Sequence, residues 1–157
     1  MHSFAFETFM HDLCHCTKAS MYRCFENSFC LSADVSNAYD PNFPETMDRR
    51  NNAFLNMGVS IFKYTGSKGK GGANDAPAEV MGKIRSILDN AGIIWQVGTL
   101  GKVDQGGGGT VAAFMANRNI VTVDAGVPVL SMHAPMEIIS KLDCYMSMRA
   151  CKAVYED

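Results

Sequence analysis

The sequence predicts an α/β fold in which a parallel or mixed β-sheet is covered by helices. Segments with a strand pattern alternate with segments of helical periodicity along most of the chain, and this order favours sheet-and-helix layers. The 157 residues are 47% apolar and 19% charged, with a formal charge of -2. These values are typical of one globular domain. A chain of this size buries about two-thirds of its unfolded surface, so it can form a hydrophobic core without disulfides or metal.

Apolar residues at helical spacing predict five helices. The first helix has the i, i+3, i+4, i+7 pattern of one buried face, formed by Phe6, Phe9, Met10 and Leu13. A second, short helix covers residues 21–27, and another short helix covers residues 110–117.

Two further helices are predicted, one in the centre and one at the end of the sequence. We expect Asp75 to cap the central helix, which ends at Asn90 and Gly92. Its buried stripe consists of Val80, Ile84, Ile87 and Leu88. The final helix is predicted from about residue 135 to 155, and its apolar side carries Ile138, Leu142, Tyr145 and Met146.

Strands are predicted at residues 29–35, 58–64, 93–97 and 120–124. Residues 37–56 are expected to be irregular, because Pro41 and Pro44 are incompatible with a central strand. Two glycine-rich loops are predicted, at residues 66–72 and 105–109. We expect the whole chain, residues 1–157, to form one unit without an internal repeat or linker.

Composition excludes several partner classes. Without a block of Lys and Arg, the chain lacks the electrostatic pattern for binding nucleic acid or an anionic membrane. The apolar runs are too short to cross a bilayer, and the first ten residues lack the basic start of a signal peptide. Six irregularly spaced cysteines favour a reducing compartment, so we expect the protein in the cytoplasm.

Two candidate site residues lie where predicted strands run out at their carboxyl ends, which is where a parallel sheet binds ligands. Asp34 stands at the end of residues 30–33, behind two small residues, and His133 follows residues 120–132. A neutral imidazole at this place is suited to zinc. The alternatives are an Asp that caps local amides in a turn and a half-buried, hydrogen-bonded His. Two ligands alone are too few, since zinc takes three or four from the protein.

A glycine loop, defined here as residues 105–110 (Gln-Gly-Gly-Gly-Gly-Thr), precedes the short fourth helix. Its amides are suited to face an anion or a substrate carboxylate. It lacks the Lys-Ser/Thr ending of a phosphate-binding loop and the spacing of a dinucleotide site. We therefore interpret it as a tight turn that brings backbone close to the site, with a small-anion-binding module as the alternative.

Four potential ligands near the start do not predict a metal site. His11 and His15 share a helix face, but Cys14 and Cys16 diverge by about 200° around that helix. The four side chains therefore cannot converge on one ion.

The sequence resembles the aspartyl aminopeptidase family of co-catalytic zinc aminopeptidases over nearly its whole length. The matching segments, in family order, are residues 31–34 (Leu-Ser-Ala-Asp), 41–44 (Pro-Asn-Phe-Pro), 106–110, 123–128 and 130–135 (Leu-Ser-Met-His-Ala-Pro). Residues 63–67 and 101–106 are similar to a bacterial branch of that family.

The resemblance implies a role for three residues. Asp34 would ligate one zinc ion and His133 the other, in a pair that activates water for peptide hydrolysis. Lys63 matches a lysine near the pocket for the substrate side chain, where it would receive an acidic group, and a solvated strand-end lysine is the alternative. The family's histidines after the Ser-Ala-Asp motif are replaced here by Asn37 and Asp40.

The resemblance also implies that these residues form the C-terminal part of a longer, phosphorylase/hydrolase-like catalytic domain. The general-base Glu, the remaining metal ligands and an inserted oligomerisation domain of the family have no counterpart in this sequence. No catalytic residue is therefore expected in this chain, whose parent enzyme would be a homo-oligomer that acts on peptides. The alternative is an inactive fragment with only a structural or assembly role.

Overall fold

A mixed sheet of five strands lies at the centre of the protein, whose computed structural model describes residues 3–68 and 71–157. The strands of the described ranges are β1 (Phe29–Asn37), β2 (Val59–Phe62), β3 (Tyr64–Ser67), β4 (Gly71–Asp75), β5 (Trp95–Val97), β6 (Val121–Leu130) and β7 (Ile138–Ile139). The helices there are α1 (Ala5–Thr17), α2 (Met21–Glu26), a 3₁₀ turn (Pro44–Thr46), α3 (Ala78–Asn90), α4 (Ala112–Ala116) and α5 (Lys141–Glu156).

The sheet has the order β1-β6-β2-β5, and β7 pairs with the end of β6. β1 runs parallel to β6, whereas β2 is antiparallel to β6 and parallel to β5. The predicted mixed sheet flanked by helices is therefore confirmed. Because β1 and β6 are parallel, both strands end at the same edge of the sheet.

The two faces of the sheet differ in chemistry because side chains alternate along each strand. On one face, Val59, Ile61, Val123 and Ala125 form the core with apolar residues of α3 and α5. The opposite face carries buried polar residues, and Ser32 of β1 stands beside Asp124 of β6 there. Asp34 lies two residues beyond Ser32, so it belongs to this polar face.

The central helix α3 buries Ile84, Ile87 and Leu88, as predicted, but its predicted cap is wrong. The N-cap residue is Pro77, and no side chain caps the helix. Asp75 instead ends strand β4, and its carboxylate pairs with the ammonium group of Lys63. Asp75 thus forms a tertiary ion pair instead of capping the helix as its spacing in the sequence predicted.

The predicted start of the final helix is also wrong. Helix α5 begins at Lys141, where the Ser140 hydroxyl accepts a hydrogen bond from the Leu142 N–H at 3.2 Å. Ile138 lies in β7 and is exposed, because residues 138–139 pair with β6 before the helix begins. Of the predicted apolar side, Met146 is buried, while Tyr145 is half exposed.

Part of the glycine-rich region predicted as a loop at residues 66–72 is strand: residues 66–67 of β3 pair with residues 71–72 of β4, and residues 69–70 lie outside the described ranges. Gly66 has φ 131°, and a Cβ there would lie 2.2 Å from the Gly71 carbonyl oxygen. Only glycine fits this close pairing.

Strand β6 continues six residues past the predicted end at Asp124. Gly126, within this continuation, allows close approach to β1, since a Cβ at this position would lie 2.8 Å from the Val35 carbonyl carbon. None of the helices in the described ranges combines the length and apolar character that a bilayer-spanning helix needs.

Candidate metal and substrate site

A cavity of about 320 Å³ opens where β1 approaches its carboxyl end. Asp34 lines it from β1, and Met132 and His133 line it from the segment after β6. Residues 107–110 of the glycine loop form another part of its wall. The structure thus brings the two predicted metal ligands and the glycine loop to one cavity.

Asp34 lies within β1, three residues before the strand ends, and not at the predicted strand end. Its side chain is exposed, and its Oδ1 accepts a hydrogen bond from the Val35 N–H at 2.8 Å. The register places Asp34 opposite Gly126, which has no side chain to obstruct it. The carboxylate is therefore accessible from the cavity.

His133 has an unusual backbone, with φ 68°, and Ser131 has φ 58°. Such left-handed conformations are uncommon for residues other than glycine and persist where the surroundings hold them. Two contacts hold this turn: the Ala134 N–H donates to the Ser131 carbonyl at 2.9 Å, and the His133 N–H donates to Glu137 Oε1 at 2.5 Å. The turn brings exposed His133 to the cavity.

The donor set fits a partial zinc site. A carboxylate oxygen and an imidazole nitrogen are both common zinc ligands. Within residues 3–68 and 71–157, no three His, Cys, Asp or Glu side chains come close enough to hold one ion together. The chain therefore supplies two candidate ligands, and further ligands would have to come from other polypeptide.

Two contacts hold the glycine loop, one to the polar face of the sheet and one to the β3–β4 hairpin. The Thr110 hydroxyl donates to Asp124 Oδ1 at 2.8 Å. The Gly108 carbonyl accepts a hydrogen bond from the Gly66 N–H of the β3–β4 hairpin at 2.9 Å. These contacts hold the loop beside the cavity.

Asp124 is a buried residue that contacts the glycine loop, and its role was not predicted from the sequence. Only 2% of its surface is exposed, and its Oδ2 accepts a second, longer hydrogen bond from Thr65 at 3.4 Å. Burial raises the pKa of the Asp124 carboxyl, and interactions with the side chains of Ser32, Thr110, Thr65 and Asn74 offset part of this increase. The signal available in the sequence was an acidic residue within a mostly apolar strand.

Replacing Asp124 by Asn should make stability less sensitive to pH. The folded-state pKa of Asp124 is raised above its ordinary value of 3.8. The fold is therefore more stable with Asp124 protonated than with Asp124 ionised, and this advantage is lost as the pH rises from that value through the folded-state pKa. Since Asn cannot ionise, wild type should lose stability relative to Asp124→Asn across this window.

The measurement is urea unfolding of both proteins at pH 4 and pH 7. Comparison of the two proteins removes the contributions of all other titrating groups. A wild type that instead gains stability over Asp124→Asn as the pH rises would contradict the expected sign.

Lys63 does not line the cavity of Asp34 and His133. Its Nζ pairs with Asp75 and donates to the Ala76 carbonyl at 3.2 Å. Together with Arg50 and Thr99 it lines a separate cavity of about 210 Å³. Its predicted contact with substrate therefore requires a ligand that reaches this second cavity and competes with Asp75.

The four potential metal ligands of α1, two His and two Cys, lie in different environments. The rings of His11 and His15 stack with centroids 6.4 Å apart, whereas Cys14 is buried and Cys16 is exposed. All six cysteines are unpaired thiols.

A known protein family matches nearly the whole chain. The family model described as "Aminopeptidase I zinc metalloprotease (M18)" matches residues 2–155. A probable M18 family aminopeptidase 1 from Clostridium acetobutylicum is 52% identical over 119 residues, which are 76% of this chain and 26% of that protein. The Borreliella afzelii protein of the same name is 46% identical over 157 residues, with 96% of this chain and 34% of that protein covered.

Solved structures share the fold. An M18 aminopeptidase from Thermotoga maritima superimposes with a TM-score of 0.91 at 37% identity, over 98% of this chain and 35% of that one. Aminopeptidase I from Clostridium acetobutylicum gives a TM-score of 0.87 at 44% identity, over 96% and 33%. The dodecameric mApe1 of S. cerevisiae shares the fold at 20% identity, with a TM-score of 0.72 over 88% and 29%. The chain thus spans about a third of the length of the relatives it matches.

Proposed function

Because the chain belongs to the M18 family of aminopeptidase I zinc metalloproteases, we propose that it is the C-terminal portion of a zinc-dependent aminopeptidase that removes N-terminal residues from peptides. The observation that carries this proposal is the shared cavity of Asp34 and His133. A carboxylate from β1 and an imidazole from the segment after β6 line it, beside a loop whose backbone can approach a peptide.

In this proposal Asp34 holds one of two zinc ions and His133 holds the other. Paired zinc ions lower the pKa of a bound water and polarise the scissile carbonyl. Glu137 would orient the His133 backbone, and the glycine loop would exclude water on one side of the substrate. The general-base Glu and the remaining ligands would come from polypeptide outside this sequence.

The sheet offers a place for that polypeptide. β1 is the terminal strand of the sheet, nine residues long, and it carries Asp34. An edge strand of this length, without Pro or Lys, presents backbone groups that can pair with another strand. Polypeptide that adds to this edge would lie next to Asp34 and could supply the missing ligands.

We further propose that the complete enzyme is a homo-oligomer, as the yeast protein of the same fold is. Its location would be the cytoplasm, since six unpaired thiols suit a reducing compartment. A second candidate, an inactive structural or assembly fragment, is favoured by one observation: in the described ranges, potential ligands do not form a group of three.

Substitution of either candidate ligand should remove zinc from a completed site. The protein for this test is a chimera in which residues 2–155 replace the matching segment of the Clostridium acetobutylicum aminopeptidase, which has the same fold. Asp34→Asn and His133→Ala should each retain about one zinc ion fewer per chain, because each deletes a ligand from a site that needs at least three. Zinc is measured by atomic emission after dialysis.

The matched control is Asp40→Asn. Asp40 is an acidic residue of the same region that lines a different cavity. Equal zinc content in all four proteins would exclude Asp34 and His133 as ligands.

A further inference from the structure

We propose that Asp124 is a positioning residue that holds the glycine loop in place as one wall of the Asp34 and His133 cavity. The role of that wall in peptide binding rests on the proposed function. The contact between Asp124 and the glycine loop is independent of the proposed function, so this contact can be tested separately.

Three oxygen-bearing side chains meet behind the loop. Asp124 accepts from Thr110 at 2.8 Å through Oδ1 and from Thr65 at 3.4 Å through Oδ2. The hydroxyls of Thr65 and Thr110 are 3.5 Å apart. One carboxylate thereby joins the glycine loop, the β3–β4 hairpin and the central strand β6.

The backbone contact beside this cluster depends on the same arrangement. Thr65 precedes Gly66, whose N–H donates to the Gly108 carbonyl at 2.9 Å. Gly108 lines the cavity, two residues before Thr110. Release of Thr110 from Asp124 should therefore free the loop and expose the Gly66 N–H to solvent.

An ionised Asp124 carboxylate is energetically unfavourable at this buried position in the sheet. It is buried, and within residues 3–68 and 71–157 no ion pair joins it to a cation. Burial of a charge without a cationic partner opposes folding. A carboxylate does offer two acceptor oxygens, however, and here each oxygen receives a threonine hydroxyl. The presence of a carboxylate at this position is therefore explained by its contact with the glycine loop and not by a gain in the stability of the fold.

The test is amide hydrogen exchange, followed by NMR, on the 157-residue chain. Thr110→Val removes the donor with little change in shape, and Thr110→Ser restores it. The matched control is Thr122→Val: Thr122 is a buried threonine of β6 whose hydroxyl donates to the Ile120 carbonyl at 2.9 Å and not to Asp124. The Gly66 N–H reports on the loop, and the Val59 N–H, bonded to the Ile94 carbonyl at 3.2 Å, reports on the core.

Thr110→Val should accelerate Gly66 exchange about tenfold or more, the loss expected for a hydrogen bond to a charged group. Val59 exchange should stay within about threefold of wild type, and Thr110→Ser should restore Gly66 to that range. Asp124→Ala should show the same pattern if it folds. Unchanged Gly66 exchange in Thr110→Val, equal acceleration of Gly66 and Val59, or the same Gly66 acceleration in Thr122→Val would overturn the proposal. The zinc content of the chimera tests the metal ligands independently, so the two proposals can fail separately.

Discussion

The isolated 157-residue chain should not turn over aminopeptidase substrates, even with added zinc, cobalt or manganese. It brings only two candidate ligands to the cavity. Two ligands cannot hold a pair of zinc ions, because each ion needs at least three from the protein. The general base would also be missing, and proton transfer by such a group contributes about 10²- to 10⁴-fold to the rate. The measurement is hydrolysis of an aminoacyl chromogenic substrate by the pure chain.

The chimera with the Clostridium acetobutylicum enzyme is the positive control, since it contains the same residues 2–155 in a complete domain. Activity in the chimera and none in the isolated chain would support the view that the site is completed by other polypeptide. Turnover by the isolated chain that Asp34→Asn abolishes would contradict it. An inactive chimera that binds no zinc would instead favour a structural role for this chain.

The parts of the fold that depend on apolar periodicity could be predicted from the sequence. The stripe of Ile84, Ile87 and Leu88 in α3 is buried as its spacing requires. Local capping signals were less reliable, because tertiary contacts compete for the same groups. Asp75 pairs with Lys63 instead of capping α3, and Ile138 pairs with β6 instead of entering α5.

The same distinction applies to the candidate site. Strand order along the chain indicated that Asp34 and His133 belong near one edge of the sheet, and both line one cavity. The contact between Glu137 and the His133 N–H depends on a left-handed backbone that neither residue type predicts. Asp124 could not be assigned because periodicity shows alternation along β6, but it does not show that the glycine loop covers the polar face.

The role of Lys63 can be decided by substrate preference in the chimera. Lys63→Met should lower kcat/KM for peptides that begin with Asp about 10- to 150-fold, because the acidic side chain loses a charge-assisted hydrogen bond worth about 1.5–3 kcal/mol. Peptides that begin with Leu make no such bond, so their kcat/KM should change little. Lys68→Met, on the adjoining hairpin, is the control for loss of a positive charge nearby.

The ion pair with Asp75 makes the test sharper. In the structure the carboxylate of Asp75 forms an ion pair with the ammonium group of Lys63. An acidic substrate must therefore displace the Asp75 carboxylate to reach Lys63. Asp75→Asn should therefore raise the preference for Asp over Leu, in the direction opposite to Lys63→Met. If Lys63 is only a surface lysine that holds β4, the two substitutions should instead affect both peptides alike.

The specificity role would be rejected if Lys63→Met changes the ratio of kcat/KM for Asp peptides to kcat/KM for Leu peptides by less than about threefold, or 0.7 kcal/mol. The assignment of Asp34 and His133 would be unaffected, because those residues line a different cavity.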